Sequence, residues 1–578
     1  MKRTDYTFRG WMLLVAVAVG TMALSFIPQF EVFGVQTKRA DILSELRAEP
    51  VAEVPFEYEA DFERLAEELA VVETVVQSRD TLPIYRWIIS EVAPHKQKKL
   101  SAAALDYDQS APIVPIENFY ADSIASPFDD FVDKLIWGDD VRIAFMGDSF
   151  VEGDILSSDL RDGLQRCFGG RGVGFVHCDI PFATVRRTIK RTVKGWSSYS
   201  AMTPKKNPQE INEQFFVSGY LAEGGAGATA TWQSTNAFAT LDSCCRSRIL
   251  LLSREDSRVE VTLNGDTALR RTFDIRANQL PQQIYVEAPV KDVKMRVVEG
   301  RVSCYGASLE GNGGVTVDNL SMRSNSGHAI FGTNAAVNRQ IDTMLDYDVV
   351  VLQYGLNIME AGKRNYAAYR DKLREIITYA RHCFPRAAIL LLGVSDRWVK
   401  NSESGVYEPI GSVDALTSYQ RAAADSCGVA FWPISQAMAL DGGMPAYTHN
   451  GWASADHTHI NFAGGRRVAQ HLTAAIKADA YYRITNGTTN IPASAVVESK
   501  KIEKATTIEQ KPVSWGVDTP AKQLPVEEPV VNDVVVAEPA AEPAAEPATE
   551  AAVAEEPKVE EREVIEVGDE EEEFFETT

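Results

Sequence analysis

Val141-Arg142-Ile143-Ala144-Phe145-Met146-Gly147-Asp148-Ser149-Phe150 decides how this chain is read. Its first six residues are an almost unbroken apolar run, which predicts a strand buried on both faces. The run stops at Gly147-Asp148-Ser149. Apolar residues at Ile155, Leu160, Leu164 and Phe168 then take up a helical spacing. A serine on a strand-to-helix turn is held at the edge of a sheet, close to backbone N–H groups that can stabilise an oxyanion. Ser149 is therefore a candidate nucleophile, although Gly-Asp-Ser also forms ordinary turns.

A partner for it lies about three hundred residues on, in the group Asp456-His457-Thr458-His459. The group precedes a helical pattern with Val468, Leu472 and Ile476 four residues apart, so it falls in the loop or first turn ahead of the last long helix. A three-residue spacing in a tight loop lets the Asp456 carboxylate turn back to the His459 imidazole. The carboxylate would fix the tautomer and orient His459 as general base for Ser149. Two other readings exist: helix capping, and a metal site built from Asp456, His457 and His459. The metal reading ranks lower, because alternate residues of an extended segment point to opposite sides and no further ligand cluster is evident. No metal and no cofactor is expected.

A third element fits the same chemistry. Asp348-Val349-Val350-Val351-Leu352-Gln353-Tyr354-Gly355-Leu356-Asn357 reads as an apolar strand ending in Gly-x-Asn. A side-chain amide at a strand end can donate to a developing oxyanion, and losing one such donor typically costs about 2.7–4 kcal/mol of barrier. Asn357 also suits a plain turn. The three pieces together, each at the end of an element, form a nucleophile, an oxyanion donor and an oriented base.

On these residues the chain resembles the SGNH/GDSL hydrolases. Gly147-Asp148-Ser149 matches the first block of that family, Gly355-x-Asn357 the third and Asp456-x-x-His459 the fifth. Gly327, in Ser324-Asn325-Ser326-Gly327, is taken as the second-block glycine, with Gly332 as the alternative. The resemblance covers roughly residues 136–185 and 306–482. It implies Ser149 as nucleophile, His459 as base and Asp456 as its orienter. It also implies an oxyanion hole of the Ser149 N–H, the Gly327 N–H and the Asn357 amide. Ile358 departs from the family, many members of which carry Asp after the Asn.

The surrounding pattern supports an α/β fold independently. Helical stretches over 364–383 and Val413–Cys427 alternate with apolar runs at Val349–Gln353, 387–393 and 429–432. Such alternation predicts a parallel sheet with helices on both faces, its ligand beyond the C-terminal strand ends. Residues 119–189 and 306–486 are assigned to this three-layer, flavodoxin-like domain, entered through a helix over 119–137. The segment 190–305 has another texture, with short β-rich runs such as Val259-Glu260-Val261-Thr262-Leu263 and a hairpin signal at Asn264-Gly265. It predicts an inserted β-sandwich. The arrangement resembles bacterial peptidoglycan O-acetylesterases, in which a carbohydrate-binding-type module interrupts the SGNH domain. Trp196, Tyr199, Trp232 and Phe238 are candidates for stacking on sugars, or core aromatics.

The ends of the chain give its expected placement. A basic stretch over 1–10 precedes a charge-free stretch over 11–28. That length suits a transmembrane signal anchor more than a cleaved signal peptide, with Lys2, Arg3 and Arg9 on the cytoplasmic side. The catalytic body is then extracytoplasmic, in the periplasm of a Gram-negative cell. Residues 29–118 read as an acidic membrane-proximal stalk with helices over 40–46 and 61–76. From residue 487 onward, 23 Asp and Glu face 7 Lys and Arg, so this tail carries −16 of the chain's −23. Its Glu-Pro-Ala repeats predict a disordered, solvated segment. Acidity without a basic stripe argues against nucleic acid. Seven cysteines leave one over, and Cys167 with Cys178 is a candidate pair.

The expected reaction is removal of O-acyl groups, acetyl above all, from a cell-envelope polysaccharide such as peptidoglycan. One alternative is an O-acetyltransferase that uses the same triad and receives its acyl group from a membrane acyltransferase. Another is a non-catalytic glycan-binding or scaffold protein.

Overall fold

The computed structural model describes residues 83–92, 95–120, 126–181, 186–242, 244–489 and 491, with a two-stranded pairing of Glu31–Val32 and Val35–Gln36. The anchor expected over 11–28, the helices expected over 40–46 and 61–76, and the acidic tail beyond 491 lie outside the described residues. Among the described residues no helix is long and apolar enough to cross a membrane.

The apolar runs form a six-stranded sheet from β1 (Glu117–Asn118), β2 (Val141–Gly147), β3 (Val315–Asn319), β4 (Val349–Gln353), β5 (Ala388–Gly393) and β6 (Ala430–Pro433). Its spatial order is β3-β2-β4-β5-β6-β1. Strands β2 to β6 are mutually parallel, and β1 closes the edge antiparallel to β6. Every residue of β2, β4, β5 and β6 is buried, so both faces of the sheet are covered. The helices are α1 (Pro127–Trp137), α2 (Ser157–Phe168), α3 (Ala335–Leu345), α4 (Ala367–Cys383), α5 (Val413–Cys427) and α6 (Phe462–Asn486). Two groups cover the sheet: α1 and α2 pack against α6, and α3, α4 and α5 pack in succession. The chain leaves the sheet centre between β2 and β4, the switch point where such folds hold ligands.

Local chemistry sets the helix ends. Helix α1 begins at Pro127, later than the expected 119, because Ser126 accepts the Asp129 N–H at 3.4 Å and proline suits the first turn. Asn461 caps α6 by accepting the N–H groups of Ala463 and Gly464.

The interrupting segment forms a second, antiparallel body. Strand Tyr220–Ser234 is bent at its middle. Residues 222–225 pair with Arg301–Glu310, and residues 229–233 pair with Asp292–Glu299. Gly227 (φ 90°) lies at the bend, and the paired strand Ile189–Ser200 shifts register at Gly195 (φ 79°). A strand that turns a corner in this way passes from one sheet layer to another. Val259, Val261 and Met295 on one side share a core with Ile249, Leu251 and Val302 on the other. Alternate residues of Cys244–Ser253 face two cores: Ile249 and Leu251 the module, Leu250 and Leu252 the parallel-sheet domain.

Three expectations change. Two strands of the module lie outside 190–305: Gly174–His177 pairs with Arg301–Glu310, and Ile84–Ile88 runs parallel to Asn278–Val290. Residues 83–118 are consequently not a stalk. Trp87 packs edge-on against Phe273, while Leu105, Ile113, Val114 and Ile116 join the core of the parallel-sheet domain. Finally, all seven cysteines are free. Cys167 packs against the catalytic core and Cys178 lies in the core of the module, so they do not pair.

Candidate active site

The turn after β2 presents Ser149 half-buried at the C-terminal edge of the sheet. Gly147 is needed there, since a Cβ would stand 2.8 Å from Val151 Cγ2 and 2.9 Å from Gln353 Oε1. The Ser149 hydroxyl faces His459 Nε2 at 3.3 Å. His459 Nδ1 lies 2.7 Å from Asp456 Oδ2. The second Asp456 oxygen accepts the N–H groups of Thr458 and His459, each at 3.0 Å. Burial pulls the Asp456 carboxyl upward, but the His459 ring and those two N–H groups outweigh it and hold the acid below its usual value. A carboxylate that stays ionised on Nδ1 leaves Nε2 free to take the serine proton.

The loop carrying the pair is closed by an antiparallel bridge between Ala453 and Ile460. His457 takes a left-handed conformation (φ 52°). Its ring stacks on Tyr407 with centroids 3.8 Å apart, and Nδ1 lies 3.3 Å from Thr448 Oγ1. It therefore does not join His459 and Asp456 around a common point. Among the described residues no group of three or more metal-ligating side chains converges.

Asn357 sits in the one-turn helix Leu356–Ile358 after β4. Its Nδ2 donates to the Asn325 carbonyl at 3.0 Å and faces Asp148 Oδ2 at 3.4 Å. Asp148 is fully buried and accepts the Phe150 N–H at 2.9 Å. Burial pushes its carboxyl up to about 7, against the pull of that N–H. Gly327 is the expected second-block glycine, with Gly332 as the alternative. Gly327 is beside Tyr354 with φ 101°, but its N–H donates to Asn325 Oδ1 at 2.8 Å. Asn325 makes an Asx turn, which spends the N–H that the resemblance assigned to the oxyanion. Gly332, the alternative, packs against Ala201. The Ser149 N–H has no acceptor among the described residues and is the open backbone donor.

Two nearby residues were not singled out from the sequence. Asn325 differs from a turn former only by its place two residues before a glycine. Arg397, four residues past β5, donates to the carbonyls of Leu356 and Met359 at 3.3 and 3.5 Å. Burial lowers its pKa against the opposing charge of Asp456. A cation just past a strand's C-terminal end was the available signal. From Asn357 a cleft of about 830 Å³ opens outward, lined by Ile358, Met359, Tyr366 and Tyr369 with His328, Lys363 and Lys372.

The four aromatics divide. Trp232 is wholly buried in the module and donates to the His177 carbonyl, which removes it as a sugar platform. Trp196 lies over Gly224 and donates to the Thr229 carbonyl. Tyr199 packs against the catalytic core, and Phe238 lies under the Arg187 guanidinium.

No family model matches the chain, and no curated protein matches its sequence. Solved structures do. One described as "Peptidoglycan O-acetylesterase in action, 5 min" is 22% identical with a TM-score of 0.51, over 62% of this chain and 97% of that one. A family two carbohydrate esterase from Clostridium thermocellum in complex with cellohexaose is 12% identical with a TM-score of 0.21, over 44% and 94%. CsCBM6-3 from Clostridium stercorarium in complex with cellobiose is 10% identical with a TM-score of 0.17, over 24% and 95%. Only the first superposes closely enough to bear on the fold, and it does so over nearly its whole length. The chain thus shares the fold of a solved peptidoglycan O-acetylesterase.

Proposed function

We propose that this protein is a serine esterase that removes O-acyl groups, acetyl in the first place, from a cell-envelope polysaccharide such as peptidoglycan. The observation that carries the reading is the relay Ser149–His459–Asp456, with 3.3 and 2.7 Å between successive polar atoms, at the C-terminal edge of β2. Ser149 Oγ attacks the ester carbonyl carbon while its proton passes to His459 Nε2. The Ser149 N–H and Asn357 Nδ2 stabilise the oxyanion, with Asn357 turning from its 3.4 Å contact with Asp148. Collapse breaks the bond to the sugar oxygen, which takes the proton from His459, and water then releases the acid from the acyl-enzyme. The glycan substrate is supported by the shared fold and by the open cleft beside Asn357. Placement outside the cytoplasm on an N-terminal anchor is supported by the charge-free stretch over 11–28.

Ser149→Ala is expected to remove hydrolysis of p-nitrophenyl acetate, by about 10³-fold or more, with an unchanged thermal melt. Activity retained at the wild-type level would sink the mechanism.

A further inference from the structure

We propose that Asn325 is a positioning residue for the oxyanion donor Asn357, binding the loop after β3 to the turn after β4. The proposal rests on the esterase reading above. Asn325 is buried at 1% exposure. Its Oδ1 accepts two backbone N–H groups, from Gly327 at 2.8 Å and from Ala329 at 3.3 Å. Those bonds fold the chain tightly around the side chain and fix the direction of the Asn325 carbonyl. That carbonyl accepts one hydrogen of Asn357 Nδ2 at 3.0 Å. An amide with one hydrogen so held is anchored on that carbonyl, and its other hydrogen faces Asp148 Oδ2 at 3.4 Å, one residue from Ser149. The Tyr369 hydroxyl, donating to the neighbouring Ser326 carbonyl at 3.0 Å, braces the same loop from α4.

One further observation separates this site from an ordinary turn. Asn325 Nδ2 is buried and has no hydrogen-bond partner among the described residues. Buried donors are almost always satisfied. Serine, which also closes turns of this kind, would leave no amide unmet. The longer side chain reaches both N–H groups at once, and the orphaned donor is the cost of that reach.

The geometry assigns Asn325 no contact with substrate. Its loss should therefore act on the transition state through Asn357 and leave ground-state binding alone. In hydrolysis of p-nitrophenyl acetate by the full chain, Asn325→Ala is expected to lower kcat about tenfold with KM within about twofold, and Asn325→Ala/Asn357→Ala to be no slower than Asn357→Ala alone. A wild-type kcat in Asn325→Ala, or a full additional loss in the double variant, overturns the proposal. Should Asn325→Ala melt before assay, Asn325→Asp keeps the Oδ1 acceptor. Its kcat at the wild-type pH optimum is expected to stay within about threefold of wild type, whereas a loss as large as that of Asn357→Ala overturns the proposal. Ser149→Ala tests the esterase reading separately, so the two failures are distinguishable.

Discussion

Asp148 is a buried carboxyl one residue before Ser149, with Phe150 N–H, Asn357 Nδ2 and the Tyr354 and Tyr369 hydroxyls around it. Its pKa rises from 3.8 to about 7 on folding. An acid raised on folding binds its proton more tightly in the native state, so stability is full below pH 4 and falls as the pH climbs toward 7. The loss is on the order of 4 kcal/mol across that window. Asp148→Asn keeps the shape and cannot ionise. Urea unfolding at pH 5 and pH 8 should show wild type losing more stability than Asp148→Asn over the interval, and equal losses would refute the assignment. At this scale the sequence was legible where chemistry and backbone coincide. Ser149 and Asn357 each follow a strand and Asp456 and His459 lie in the loop before α6, and the structure joins Ser149 to His459 and His459 to Asp456, with Asn357 against Asp148. Gly327 was legible as a conformation, but its N–H depended on the side chain of Asn325, and sequence patterns do not show where a neighbouring amide points.

Helix α6 carries a different tension. Asp479 is fully buried on it, with neither oxygen hydrogen-bonded among the described residues. Burial and the nearby Asp129 push its carboxyl well above the usual range. Its contribution follows the same sign as Asp148, with stability falling as the pH rises above the ordinary carboxylate range. Asp479→Asn, of nearly the same volume and unable to ionise, is expected to gain stability relative to wild type by more at pH 9 than at pH 6. An equal difference in urea midpoint at both values would contradict this. Elements of the parallel sheet were readable because strands buried on both faces are mostly apolar, as β5 is throughout and as β2 and β4 are but for Arg142 and Gln353. Ile84–Ile88 was not readable. Its sequence, Ile-Tyr-Arg-Trp-Ile, is short, and it becomes a strand only through pairing with Asn278–Val290.

Across the whole molecule, the segment after β2 and the module are joined through buried charge. Asp154 accepts from Arg161 and Arg186 at 3.1 Å, from Ser157 at 2.6 Å and from Thr188 at 2.5 Å. Against burial, the two guanidiniums hold its carboxyl well below the usual range. Its stabilisation is therefore present at neutral pH and lost only as the pH falls through that depressed value. Asp154→Ala leaves two buried guanidiniums without their carboxylate, and a loss of about 3–5 kcal/mol is expected at pH 7. A thermal midpoint within about 2 °C of wild type would exclude this role, given the few degrees that 1 kcal/mol moves a large domain. On the other side of the sheet Arg142, the second residue of β2, bonds Asp318 of β3 and Glu310 of the module, both at 2.7 Å. The pairing of Ile84 with Gln283 has a bearing on how the protein is made. A ribosome releases Ile84–Ile88 long before Asn278–Val290 exists, so the emerging chain carries an unmatched strand past the whole first half of the catalytic domain. The module is then finished from three separate stretches of message, and no cut at 190 and 305 would lift it out whole.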